Sequence, residues 1–286
     1  MTLLSNKALQ TTLMIMAGVY CFGPAHAQDV RSTGQVMGSR KPAAEYSRFV
    51  AKRVAHAGGG INKRMYTNSL EALDLNYALG FRYFEIDLLQ TADHRLVCLH
   101  DWEISAKAML GQAVGEPLTL SAFKQRIKAR ASLTPCTEET LKTWLEKHPD
   151  AYVVTDIKDA NITLLKRLIH IIPEAKRQII PQVYQPENME TVAGMGFEQI
   201  IWTVYRYTGS NEDIVENAKK LKNKTRLAVT IPEYRAKSRL PARLKKLDIP
   251  TYVHTINDPD TAAMFMREYL VTEIYTATLA PDRPPR

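Results

Sequence analysis

The chain has 286 residues, of which 45% are hydrophobic and 24% charged, and a formal charge of +8. That length buries a sizeable core without covalent staples, and three cysteines are too few for a disulfide scaffold. The cations are spread out (Lys219, Lys220, Lys222, Lys224, Arg243, Lys245, Lys246), lie mostly on predicted helices and read as solvated faces; with no nucleic-acid-binding module in sight, nucleic acid is not expected as a partner.

Residues 1–27 carry one cation, Lys7, and no acid. An apolar run over 13–22 and the ending Pro24-Ala25-His26-Ala27 follow. The run is too short for a comfortable membrane span, and the ending is a small-residue cleavage site, so a signal peptide cut after Ala27 is expected. A periplasmic or secreted location is the corresponding expectation. Tyr20 stands where a lipoprotein site at Cys21 would need a small residue. A polar stretch over 28–46 reads as an N-terminal arm, and 47–286 as one domain.

Within that domain β-rich runs fall at 53–57, 83–89, 96–100, 152–157, 179–184, 199–205, 227–231 and 251–256. Helical patterns occupy 69–79, 120–129, 138–147, 163–172, 188–193, 212–222, 239–247 and 261–270. Eight strands alternating with helices predict an α/β fold, a single-domain TIM-type (β/α)8 barrel. An open doubly wound sheet has the same alternation. Cys98 falls in a predicted core strand, where a buried thiol and a bridge to Cys136 are both open.

The polar residues of interest end predicted strands, where barrels place their active sites. His56 precedes Ala57-Gly58-Gly59-Gly60, and glycines let the backbone turn sharply or approach a ligand. In Phe84-Glu85-Ile86-Asp87-Leu88 the two acids are two apart and share a strand face. Paired core-facing carboxylates repel unless a cation neutralises them, and hard oxygen ligands suit Mg²⁺ or Ca²⁺. Rim carboxylates paired with Lys or Arg would explain that fragment equally well. His100 closes the 96–100 run, and Asp156 with Lys158 again shares one face.

Taken together, His56-Ala57-Gly58, Thr67-Asn68-Ser69, Glu85-Ile86-Asp87, His100-Asp101, Asp156-Ile157-Lys158 and His254-Thr255-Ile256-Asn257 resemble the glycerophosphodiester phosphodiesterase family, related to the phosphatidylinositol-specific phospholipase C barrels. The resemblance implies a phosphoric diester hydrolase acting on glycerophosphodiesters or related phospholipid-derived diesters with one divalent cation. It implies Glu85, Asp87 and Asp156 as metal ligands, His56 and His100 as the acid–base pair, and Lys158 as a phosphate contact. Gly58, Tyr184, Trp202 and His254 are the further expected substrate contacts, although packing competes as the role of the aromatics. Expected partners are a small phosphodiester or a lysophospholipid-like substrate, with peripheral contact to envelope lipids, and the expected state is a monomer.

Three positions depart from the family pattern. Ala57 stands where the family has an arginine, Asp156 where it has a glutamate, and Thr67 where it has a glutamate. The first two resemble the sphingomyelinase D-like phospholipases, which makes a cyclising lyase the first alternative. A barrel that binds metal or phosphate without turnover is the second. Lys63, Arg64 and Arg206 are candidates to replace the missing arginine.

Overall fold

A computed structural model describes residues 48–129 and 133–281. The expected signal segment 1–27 and arm 28–46 lie outside the described residues. The strands are β1 (Val54–Ala55), β2 (Tyr83–Gln90), β3 (Leu96–Cys98), β4 (Tyr152–Asp156), β5 (Ile179–Val183), β6 (Gln199–Thr203), β7 (Arg226–Ile231), β8 (Thr251–Val253) and β9 (Glu273–Thr276). The helices are α1 (Leu70–Ala78), α2 (Ile104–Leu110), α3 (Leu120–Lys128), α4 (Glu138–Lys147), α5 (Asn161–Ile171), α6 (Ala175–Gln178), α7 (Pro186–Gly194), α8 (Asn211–Leu221), α9 (Glu233–Ala236), α10 (Leu240–Lys245) and α11 (Pro259–Arg267).

Eight parallel strands run β1-β2-β4-β5-β6-β7-β8-β9, and β9 pairs back with β1 to close the barrel. The expected single-domain (β/α)8 barrel is therefore observed. One strand differs from the expectation. The 96–100 run is not a barrel strand; β3 lies antiparallel on the part of β2 that projects beyond the barrel, Leu88 facing Cys98 and Gln90 facing Leu96. The eighth barrel strand is β9, four residues to which the sequence pattern assigns no strand.

Side-chain alternation sorts the core into two layers. Val54, Tyr83, Val154, Ile180, Ile201, Ala228, Tyr252 and Tyr275, one from each barrel strand, pack inside the barrel with Phe49. Their sequence neighbours, such as Phe84, Val153, Ile200, Trp202 and Ile274, face outward into the layer shared with the helices. Several helices start where a side chain takes up a free backbone amide: Ser69 Oγ accepts from Ala72 N at 3.2 Å, and Thr137 with Thr140 forms a capping box before α4. Cys98 and Cys136 are disulfide-bonded with Cα atoms 4.9 Å apart, which decides between buried thiol and bridge in favour of the bridge.

Candidate active site

Strand alternation builds the site. Tyr83 faces the barrel interior, so Glu85 and Asp87 do as well; Val154 faces inward and Asp156 follows it toward the same mouth. The parallel register of β2 and β4 sets Asp87 directly opposite Asp156. Glu85, Asp87 and Asp156 consequently each offer a carboxylate oxygen, all within 4.8 Å of one another. Lys158, just past β4, brings Nζ to 3.2 Å from Asp87 Oδ1 and 3.3 Å from Asp156 Oδ2. Tyr184 donates its hydroxyl hydrogen to Asp156 Oδ1. Asn68 clamps Asp87 with both amide atoms: Nδ2 donates to Oδ2 at 2.9 Å, and Oδ1 accepts from Asp87 N at 3.0 Å.

The turn after β1 supplies the last contact. Ala57 adopts a positive φ of 48°, and its N–H donates to Glu85 Oε2 at 2.7 Å. The glycines behind it are fixed by α1. Asn76 Nδ2 donates to the carbonyls of Gly58 and Gly60, both at 3.1 Å, and a Cβ on Gly59 would fall 2.4 Å from that amide. Gly58, expected to touch substrate, is buried beneath α1 beside Leu73 and Ala72, and serves the turn.

Glu85 Oε1 is buried and has no hydrogen-bond partner. Burial raises the proton affinity of Glu85 well above the usual carboxylate range, and Asp87 and Asp156 add to the shift. Burial and then Asp87 raise that of Asp156. Burial opposes the charge on Lys158, but Asp156 and Asp87 outweigh it and hold its proton more tightly than usual. With all three acids ionised, one lysine leaves two negative charges uncompensated at a buried cluster, and such an imbalance is costly without a counter-charge. Three converging carboxylates, one of them with an orphaned oxygen, fit a divalent cation.

Of the two expected histidines, His56 touches this cluster directly. The His56 ring sits with Nε2 3.6 Å from Glu85 Oε2, and its Nδ1 is hydrogen-bonded to Thr255 Oγ1 at 2.9 Å. Burial, followed by the neighbouring His254, lowers its pKa to about 4. The ring of Tyr66 packs edge-on against it at 5.0 Å. His100 reaches the mouth by a different route from the one its sequence suggests. Leu99 N donates to Asp87 O at 3.1 Å, so the antiparallel β3 runs back toward the barrel and brings His100 within electrostatic reach of His56. Its ring is half-exposed, with Nδ1 2.9 Å from Asp101 Oδ2. Asp101 is itself anchored at the start of α2, where Oδ1 accepts from Glu103 N at 2.9 Å and Ser105 N at 3.1 Å.

Of the remaining expected contacts, Tyr184 and His254 stand at the site. His254 is half-buried, 5.9 Å ring to ring from His56 and 5.7 Å from Tyr205, and burial with Lys158 lowers its pKa to about 4. Trp202 does not belong there. It points away from the barrel axis, fully buried among helix-facing residues, and its Nε1 donates to Tyr184 O at 3.3 Å. Tyr205, three residues on, faces the mouth in its place, 5.5 Å from the ring of Tyr184. Asn68, Tyr66 and Thr255 carry no role in the expectations from sequence. The Thr67-Asn68-Ser69 and His254-Thr255 motifs were the available signals. Arg64 Nη2 lies 3.6 Å from Met109 Sδ.

A model of the glycerophosphoryl diester phosphodiesterase family matches residues 59–278, beginning just after His56 and Gly58. Among solved structures, a glycerophosphodiester phosphodiesterase from Thermotoga maritima is 21% identical with a TM-score of 0.62, the match covering 80% of this chain and 96% of that one. A putative glycerophosphodiester phosphodiesterase from Galdieria sulphuraria is 15% identical with a TM-score of 0.60, covering 80% and 95%. A phosphodiesterase from Oleispira antarctica, solved with the product sn-glycerol-3-phosphate, is 13% identical with a TM-score of 0.59, covering 83% and 96%. At these identities the structures establish a common fold.

Proposed function

The chain belongs to the glycerophosphoryl diester phosphodiesterase family and is a phosphoric diester hydrolase, and from that membership we propose that it cleaves small glycerophosphodiesters by acid–base catalysis from His56 and His100 around one divalent cation. The observation that carries this reading is the cluster of Glu85, Asp87 and Asp156 with its orphaned Glu85 Oε1, bordered by the His56 imidazole. Mg²⁺ and Ca²⁺ both match three hard oxygen donors. Such a cation, once bound, supplies Lewis-acid stabilisation of charge on the phosphoryl oxygens.

The protein's own residues supply the rest. Asn68, Lys158 and Tyr184 fix the orientations of Asp87 and Asp156, so the carboxylates are arranged before any ligand arrives. Lys158 also presents a cation to the non-bridging oxygens of the substrate. One imidazole removes the proton from the attacking oxygen, and the other protonates the departing alkoxide. The attacker is a neighbouring hydroxyl of the substrate, which yields a cyclic phosphate, and water then opens the ring by the same two proton transfers in reverse. The sn-glycerol-3-phosphate bound in the Oleispira antarctica enzyme supports a glycerol phosphodiester as the substrate class here.

Purified protein assayed against glycerophosphodiesters and lysophospholipids, with EDTA and then with Mg²⁺ or Ca²⁺ added back, tests the proposal. Expected is turnover that EDTA abolishes and metal restores; turnover indifferent to EDTA overturns the metal assignment. Phosphorus NMR of the products separates a hydrolase, which releases monoester, from a lyase that stops at the cyclic ester. We further propose that the enzyme works outside the cytoplasm, as a monomer, in the periplasm or after secretion. The segment 1–27 and the Cys98–Cys136 bridge support an oxidising compartment. Finding the full-length protein in the cytoplasmic fraction of its host would overturn that location.

A further inference from the structure

We propose that Arg206 is a second cation, beside Lys158, that grips the substrate's anionic group, just past β6, in an enzyme whose turn after β1 offers only Ala57. This inference rests on the phosphodiester reading above and deepens it by naming a specificity residue. Three observations carry it. First, the site's lysine is shared: Lys158 Nζ lies 3.2 and 3.3 Å from Asp87 and Asp156, so the carboxylates divide its charge with any phosphate. Second, the β1 turn contributes no charge, because Ala57 is fully buried and hydrogen-bonds Glu85 through its backbone.

Third, Arg206 is placed at the mouth. It ends the 3₁₀ turn Val204–Arg206 that follows β6, on the same rim as Tyr184 and Tyr205. Its guanidinium carbon lies 5.5 Å from the centroid of the Tyr184 ring and 5.9 Å from that of Tyr205. Tyr184 in turn is hydrogen-bonded to Asp156. Two packed steps thus join the guanidinium to the carboxylate cluster. Arg206 is exposed, and no carboxylate among the described residues pairs with it. A guanidinium held near tyrosine rings by cation–π attraction spends none of its N–H donors on them, so its N–H fork stays open to an acceptor. That fork matches a two-oxygen acceptor, which phosphate and carboxylate both present.

The anion could be the phosphodiester itself or a carboxylate in the departing head group, and substrate choice tells them apart. Wild type, Arg206→Ala and Arg206→Lys are compared on glycerophosphoethanolamine and glycerophosphoserine. Binding of sn-glycerol 3-phosphate to each metal-loaded protein is measured in parallel by calorimetry. A charge-assisted hydrogen bond contributes on the order of 1.5–3 kcal/mol, so Arg206→Ala is expected to raise KM about 10- to 100-fold, with kcat changing less. Arg206→Lys recovers only part of this, since an ammonium is a point charge without the fork. An equal loss on both substrates, with weakened product binding, assigns the phosphate. A loss confined to glycerophosphoserine assigns the carboxylate. If the wild type turns over neither substrate, the functional reading fails, and weaker product binding by Arg206→Ala still upholds the anion site. Wild-type KM together with wild-type product affinity in Arg206→Ala overturns the inference.

Discussion

Glu85 and Glu138 are both 2% exposed, yet the protein treats them in opposite ways. Glu138, at the start of α4, is completed from every side. Its Oε2 accepts from Leu96 N at 2.9 Å and Arg167 Nε at 2.7 Å; its Oε1 accepts from Arg167 Nη2 at 2.6 Å and from Arg95. Burial works against the charge, but Arg167 and Arg95 outweigh it and hold the carboxyl below the usual range. Glu85 receives one backbone N–H, keeps one oxygen bare, and faces two further acids. Its proton affinity moves up instead of down. A buried acid that the chain satisfies by itself belongs to the architecture. One that the chain leaves unsatisfied is built for a ligand from outside.

The largest effect should come from exchanging charge at the unsatisfied acid. Glu85→Gln keeps shape and removes a proposed ligand, so kcat/KM should fall about 1000-fold, the equivalent of roughly 4 kcal/mol. In EDTA the same variant should melt no lower than wild type, because one of three repelling carboxylates is gone. Near-normal turnover, or a melting temperature lowered in EDTA, would place Glu85 in the same class as Glu138 and dissolve the contrast.

Next in size is the covalent staple beside Glu138. The Cys98–Cys136 bridge links residues 38 apart, and Cys136 lies two residues before Glu138. Loop-closure entropy for that interval amounts to about 4 kcal/mol at most. Combined Cys98→Ala and Cys136→Ala should lower unfolding free energy in urea toward that limit. Activity should stay within about threefold if this flank is architecture alone. A parallel loss of activity would show instead that the staple also positions His100, two residues past Cys98.

His56→Ala and His100→Ala should each reduce turnover by at least about 100-fold, the usual scale for a general acid or base. They sharpen the contrast because the two imidazoles are held so differently: His56 half-buried on Thr255, His100 at the exposed lip on Asp101. Near-normal rates in either variant would remove that histidine from the chemistry and leave its neighbours to account for the site.

Much of this arrangement is legible in the sequence because it depends on the two-residue repeat of strands. That repeat alone puts Glu85 and Asp87 on one face and turns Asp156 toward the same side as Lys158, and the three acids do converge. The same repeat, applied to 199–203, turns Trp202 outward as the fold has it, while Tyr205 is brought to the mouth by the turn that follows β6. Other features are hidden for physical reasons. The β3 run has the composition of a barrel strand, and its antiparallel course depends on the projecting end of β2. The strand β9 is four residues long, too short for a pattern to stand out. Asn68 and Ala57 act from backbone conformations with positive φ, where local propensity says little about which side chain a group will meet.

The smallest effect tests the satisfied acid. Because the carboxyl of Glu138 is depressed in the folded protein, it stabilises fully only above its unfolded value of 4.5, and that contribution is lost as pH falls through the lower folded value. Glu138→Gln removes it. The side chains of Arg95 and Arg167 are 38% and 29% exposed, so water shares both cations and the loss at pH 7 should be about 1–2 kcal/mol, less than for a fully buried pair. The gap between wild type and variant should then narrow as pH falls below about 4.5, since the wild type loses at position 138 the charge that the variant never carries. Urea titrations at pH 7, 5 and 3 would reveal it. A gap that stays constant into acid would mean that Glu138 stabilises by packing and neutral hydrogen bonds. Its opposition to Glu85 would then be one of shape, with no electrostatic content.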